Sequence, residues 1–419
     1  MTGPPLTVQA DVAVIGAGPA GLTAAIGLRR LGVGVVVLER EAEAGGIPRI
    51  THHTGYGLRD LHRMMTGPAY AERLVQGAVD AGADLRIGAM VTDWSGDRSV
   101  MVTSPEGRWR LSAQAIVLAT GARERPRSAR LVPGDRPAGV LTTGMLQDVV
   151  HGGRAVSGGS IGSRAVVVGA ELVSWSAVLT LREAGCRAVL MTTEHERIEA
   201  PAALVWAGRS VPGLPVSRRT RVTRIMGRHR VEAVELTRLD TGQTRTFACD
   251  TVIFTGDWIP DSELARAGGL DMDPGHRGPV VDGALRTSAH GVFGAGNLLH
   301  PVDTADVAAL DGRHVAGQVA RFLEGGTGPQ AATRVLPGAG FAWVSPGLLR
   351  PADPPPRERL LLWATEHRSA PRVVVRQGDR VLRRRLVPWP ASPGRVFRLP
   401  WSVLAGVHPE AGDVTIGLG

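Results

Sequence analysis

The sequence predicts an α/β fold of two Rossmann-like units, the second inserted in the first, followed by a small all-β domain. Three observations carry this. A strand, a glycine turn and a helix follow one another between residues 12 and 31; the same plan returns after residue 164; and beyond residue 331 the pattern changes to short strands among Pro and Gly turns. The expected boundaries are 1–145 for the first part of the leading unit, 146–258 for the insert, 259–326 for the return and 331–419 for the tail. A chain of 419 residues, 43% of them hydrophobic, supplies cores for all of these.

The first element is the buried-strand run Val12-Ala13-Val14-Ile15, which enters Gly16-Ala17-Gly18-Pro19-Ala20-Gly21 and an Ala/Leu-rich helix to Leu31. Gly16 permits the tight turn, Gly18 lets a pyrophosphate approach the backbone, and Gly21 lets helix and strand pack closely. The next strand, Val33 to Leu38, ends in Glu39, a carboxylate placed to accept hydrogen bonds from ribose hydroxyls. Strands near 85–94, 98–104 and 108–119 read as a β-meander that runs into Thr120-Gly121.

The plan then repeats. Arg164 to Val168 leads into Gly169-Ala170-Glu171, a helix to Gly185, a strand to Met191, a meander through Asp240-Thr241-Gly242, and Phe254-Thr255-Gly256. Where a dinucleotide turn wants its second and third glycines, this turn has Glu171 and Ser174. A carboxylate there would face the pyrophosphate; the alternative is that Glu171 turns outward and the site survives. Near the end of the leading unit, Gly291-Val292-Phe293 enters Gly294-Ala295-Gly296-Asn297, and Asp303 or Thr304 caps a helix running to about Leu323.

Composition removes several chemistries. The 48 basic residues include no lysine, which excludes a Walker-type phosphate loop, a pyridoxal Schiff base and any lysine nucleophile. The net charge of +9 is spread along the chain apart from RVLRRRL at 380–386, so no nucleic-acid partner is expected. Cys186 and Cys249 stand alone, with no CxxC to build a dithiol pair, an iron–sulfur cluster or a metal site. The N-terminal apolar run is broken by glycines and a proline, and neither a signal peptide nor a membrane span is expected; the reading is of a cytoplasmic protein.

Taken in order, GAGPAGL, the acidic strand end, the Gly45-Gly46 doublet, LATGA and VFGAGN resemble the two-dinucleotide-fold, glutathione-reductase-like flavoproteins of the pyridine-nucleotide-disulfide-oxidoreductase-like superfamily, over roughly residues 10 to 325. The resemblance implies FAD at the first turn. It carries the cofactor contacts onto Gly16, Gly18, Pro19, Ala20, Gly21, Glu39, Arg40, Gly46, Thr120, Gly121, Gly296, Asn297 and Ala305. Asn297 stands where that family usually has aspartate, and the family aims the N–H groups at the start of the 303–323 helix at the flavin edge. NAD(P)H is not expected at the altered second turn.

The segments GYGLRDLHRMMTGPAYAERL, TGDWIPDSEL and GNLLHPVDTADVAALDGR resemble more narrowly the FAD subunits of opine oxidase, hydrogen cyanide synthase and dye-linked proline dehydrogenase assemblies. That implies a small amine or amino-acid-like substrate oxidised at its C–N bond, and a possible partner in the form of a second flavin or iron–sulfur subunit. Alternatives are an NAD(P)H-dependent reductase delivering electrons to a partner protein, and a flavin-binding scaffold with vestigial redox activity. The catalytic candidates are His52, His53 and Tyr56, on a loop that the resemblance brings close to the flavin ring. Such groups either move a substrate proton near neutral pH or bond the loop's own backbone.

Overall fold

The computed structural model describes residues 6–153, 161–200, 214–301, 303–325, 332–350 and 353–419. The opening strand Thr7–Ile15 pairs parallel with Val35–Leu38 on one side and Gly107–Leu118 on the other. Asp84–Arg86 extends the sheet beyond Val35–Leu38, and Ser99–Ser104 and Met90–Trp94 extend it antiparallel beyond Gly107–Leu118. Val292–Gly294 returns to pair with Gly107–Leu118 after the whole second sheet has been formed, which is the expected insertion. The helices are α1 (Pro19–Arg30), α2 (Gly67–Asp80), α3 (Thr143–His151), α4 (Leu172–Glu183), α5 (Glu263–Ala267) and α6 (Ala305–Leu323).

Two expectations are corrected. The strand expected over 85–94 is two strands, because the chain turns at Gly88 (φ +62°), whose N–H donates to Glu41 O. The expected boundary at 146 falls inside α3; the apolar strand Val140–Thr142 already pairs with Thr251–Phe254 in the second sheet. Of the two residues expected to cap α6, the N-cap is Thr304. Of the expected 325–329 linker, residues 326–329 lie outside the described residues.

The second sheet runs Val140–Thr142, Thr251–Phe254, Arg164–Val168, Arg187–Thr192, Val216–Ser217, all parallel. Its central strands are uninterrupted Val, Ala and Ile runs because both faces are covered. The tail folds as two sheets, one built on Thr333–Pro337, Arg372–Gln377 and Val414–Leu418 and the other on Phe341–Ser345, Arg359–Ala364 and Val396–Pro400, enclosing a core of its own. In the leading unit α1 and α6 cross at small residues: a side-chain carbon on Gly312 would lie 2.1 Å from Ala20 O. That approach sets the start of α6 beside the glycine turn. Among the described residues no helix is long and apolar enough to cross a membrane.

Candidate functional site

The first turn is built from strand ends that meet over Gly16. Gly16 has φ +105°, and a side-chain carbon there would lie 2.4 Å from Ala119 O; one on Gly21 would lie 1.9 Å from Gly16 O. Both glycines are therefore demanded by the fold. Gly18, the N-cap of α1, differs: its backbone is extended and a side-chain carbon would meet nothing within 4 Å. It lines open space, which is the cradle a pyrophosphate needs, with Pro19 pre-setting the first helical residue.

The other expected contacts gather here. Gly45 N–H donates to Ala17 O, so the doublet folds over the turn and brings Gly46 (φ +64°) beside Gly18, whose Cα lies 3.0 Å from the position of an added side-chain carbon. Gly296 (φ +70°) packs on Ala20, and Gly121 (φ +75°) faces open space. Thr120 Oγ1 donates to Asp261 O at 2.6 Å. Arg40 is exposed and pairs with Asp261 at 3.2 Å. Buried Glu39 accepts from Ala17 N–H at 2.8 Å and Glu41 N–H at 3.0 Å, which fixes its carboxylate at the strand end with lone pairs left for a further donor. Asn297 bonds residue 303 twice: Nδ2 donates to Asp303 O at 2.9 Å and Oδ1 accepts from Asp303 N–H at 3.2 Å. An aspartate could not make the first of these. Ala305 opens α6. These residues fit FAD: an open cradle, two helix N-termini and a buried acid.

The His52–Tyr56 loop lies against the inserted domain. His52 stacks on His151 of α3 with ring centroids 3.8 Å apart. His53 Nε2 is 2.8 Å from Ser176 Oγ of α4, and its Nδ1 is 2.8 Å from Thr54 O. Ser176 also accepts from Gln147 Nε2 at 2.8 Å, and Thr51 Oγ1 donates to Gln147 Oε1 at 3.1 Å. Burial pushes the Tyr56 hydroxyl up to about 12, so near pH 7 it is a neutral hydrogen-bond donor and not a base. Ser176, Gln147 and His151 are not recognisable along the chain; they belong to another domain, and nothing local marks them.

The second turn keeps the backbone of the first. Gly169 has φ +134°, and Glu171 caps α4 with φ −92°, ψ −175°, against −80°, −175° at Gly18. Ser174 replaces the third glycine; its Oγ accepts from Glu171 N–H at 3.2 Å and meets Thr255 Oγ1 at 2.6 Å. Glu171 turns inward: its Oε1 lies 1.2 Å from where a side-chain carbon on Gly256 would stand. The outward alternative is excluded. Burial and the neighbouring Glu199 and Glu124 push its carboxyl up to about 8.

The position of Glu39 is taken here by Thr193, since Gly169 N–H donates to Thr192 O as Gly16 N–H does to Leu38 O. Thr193 Oγ1 donates to Glu199 Oε1 at 2.6 Å. Register along the repeated plan is the signal that marks Thr193, which the motif spacing alone does not. The tail reaches this site: Gly394 (φ +80°) abuts Glu199, where an added carbon would lie 2.2 Å from Cβ.

Glu171 gives a stability prediction. The folded chain holds its proton where the unfolded chain has lost it, so stability falls as pH rises from about 4.5 towards about 8 and the loss is complete above that. The share is on the order of 5 kcal/mol. Glu171→Gln should raise the thermal midpoint at pH 8 and leave it little changed at pH 4.5; equal shifts at both pH values would show that Glu171 is not the group responsible.

Residues 10–312 match the family model described as pyridine nucleotide-disulphide oxidoreductase. Thioredoxin reductase of Treponema pallidum (strain Nichols) is 28% identical over 292 residues, 69% of this chain and 88% of its own. An opine oxidase subunit of Agrobacterium tumefaciens (strain Ach5) is 28% identical over 340 residues, 74% of this chain and 64% of its own length. Among solved structures, T. acidophilum thioredoxin reductase has TM-score 0.60 at 21% identity, covering 75% of this chain and 98% of that one. L-proline dehydrogenase from P. horikoshii has TM-score 0.56 at 20% identity, covering 77% and 57%. These two share the fold, and the family match ends before the tail begins.

Proposed function

The chain belongs to the pyridine nucleotide-disulphide oxidoreductase family of FAD-dependent enzymes, and on that premise we propose that it oxidises the C–N bond of an amino-acid-like or opine-like amine and passes the electrons to a partner protein or carrier. The observation that carries this is Glu171: its carboxyl, laid over Gly256, crowds the seat of a pyrophosphate at the second turn, which favours a donor other than a nicotinamide. The likeness to the opine oxidase chain supports an amine as that donor. Disulfide reduction is disfavoured by chemistry. Cys186 and Cys249 are both buried, in different cores, and burial pushes their thiols up to about 11 and about 12, so neither is a ready thiolate.

FAD, when bound, supplies the two-electron acceptor for such an oxidation. The chain's part is to hold that group by Glu39 and the first turn, and to place His53 and Tyr56 on one loop. Tyr56 offers a proton donor, and an imidazole offers the acceptor an amine must have to lose a proton near pH 7. A second reading, an NAD(P)H-dependent reductase serving a protein partner, is favoured by the retained backbone of the second turn and by the thioredoxin reductase relatives.

The experiment is anaerobic stopped-flow mixing of the FAD-loaded protein with a panel of secondary amino acids and opines. Bleaching of the flavin by a member of the panel is the expected result; a flavin reduced by none of them, and rapidly by NADH or NADPH, overturns the proposal in favour of the second reading. In the same apparatus, alanine at both His52 and His53 should slow reduction by the amine roughly 10²-fold. Unchanged rates would assign the pair to the contact with α3 and α4 alone.

A further inference from the structure

The tail places arginines on buried carboxylates of the flavin-binding unit. Arg350 Nε is 2.7 Å from Asp282, whose side chain is 0% exposed. Arg357 Nη2 is 3.4 Å from Asp311, 1% exposed, and Arg398 Nη2 pairs with Asp303 Oδ1, 2% exposed. Three acids of one domain thus take an arginine from another, in addition to Arg286 on Asp282 and His300 on Asp311 within their own unit. A buried carboxylate that loses a cation is unfavourable, so these arginines contribute to the charge balance of the flavin-binding unit.

Asp303 has a special place among the three. Its backbone is clasped by Asn297 on one side, and Thr304, the next residue, is the N-cap of α6. Its Oδ2 has no hydrogen-bond partner among the described residues and lies 3.5 Å from His300 Nδ1, while His300 Nε2 is 2.5 Å from Asp311. Gly296, one residue before Asn297, packs on Ala20 in the first turn of α1. Residues 296–301 and 303–304 therefore lie between the glycine turn and α6, and Arg398 is the tail's grip on Asp303.

We propose that Arg398 is a positioning residue for the flavin: by holding Asp303 in place and neutralising it, the C-terminal domain sets the geometry and the local charge at the start of α6. The assignment rests on FAD occupying the first turn and is independent of whether an amine or a nicotinamide reduces it. Freed from Arg398, Asp303 keeps only the His300 ring at 3.5 Å beside it, and its less compensated negative charge would act on a group that gains negative charge on reduction. The reduced cofactor should then be disfavoured relative to the oxidised one.

The test measures FAD affinity by fluorescence and the midpoint potential of the bound flavin by dye equilibration, on full-length protein. Arg398→Gln is expected to weaken FAD binding about tenfold and to lower the potential by about 30 mV, the equivalent of a tenfold bias for a two-electron couple. Arg398→Lys should recover most of both changes, and Arg398→Gln combined with Asp303→Asn should recover the potential, because no charge is left unpaired. Arg383→Gln, on the exposed edge strand of the tail, serves as the control and should change neither. A folded Arg398→Gln protein with wild-type affinity and potential would overturn the proposal. Where that variant does not fold, Asp303→Asn alone decides: removal of the charge should raise the potential, and an unmoved potential refutes the assignment. Wild-type protein that binds no FAD would instead sink the reading of the first turn.

Discussion

Gly18→Val should yield a folded protein that no longer retains FAD. The glycine sits in extended backbone that valine adopts readily, and its added carbons would meet no atom of the protein within 4 Å at Cβ. The fold therefore has no objection to the change. The cradle does, because the same space is where a pyrophosphate must lie against the start of α1. Binding should fall from stoichiometric to undetectable in a desalted sample, while circular dichroism and the thermal midpoint of the FAD-free protein stay near wild type. Gly16→Val is the contrast: at φ +105° and 2.4 Å from Ala119 O it should lose the fold as well as the cofactor. Full FAD retention by Gly18→Val would remove this turn from the cofactor site.

NADH and NADPH should be poor reductants of the bound flavin, with no saturation below about millimolar concentration. Near neutral pH the Glu171 carboxyl, pushed up to about 8, is largely protonated, so the barrier there is first its bulk over Gly256. Above pH 8 it becomes a like charge against a phosphate, at 4 Å worth about 4 kcal/mol at an effective dielectric near 20. Each 1.4 kcal/mol is about tenfold in affinity, so a micromolar site becomes millimolar or worse. Because the turn's backbone already matches that at Gly18, Glu171→Gly should regain affinity by about 10²-fold or more, the remainder being withheld by Ser174 and Thr193. The measurement is the rate of flavin bleaching against nicotinamide concentration at pH 6.5 and 8.5. Saturation at micromolar NADPH in the wild type would overturn this account of the second turn.

Much of the molecule could be read along the chain because its signals are local. A run such as Val12–Ile15 followed by glycines two and five residues apart specifies strand, turn and helix from neighbouring residues alone, and Arg164–Val168 repeats it. The substitution of Glu171 and Ser174 for glycines was equally visible. So was the change of pattern at the tail, whose strands Arg372–Gln377 and Val414–Leu418 fall where the apolar runs are.

What only the tertiary structure decided is where side chains go when their partners are distant in sequence. The direction of Glu171 depends on Gly256 leaving room, the loop of His52 and His53 is held by α3 and α4, and Asn297 spends both ends of its amide on residue 303. Arg398 finds Asp303 across a domain boundary. An arginine in an alternating strand reads as a solvated face from sequence, since a solvated charge and a charge paired with a buried acid have the same periodicity. Burial of the acid, which is a property of the packed domains and not of either segment, is what makes the second outcome the stable one.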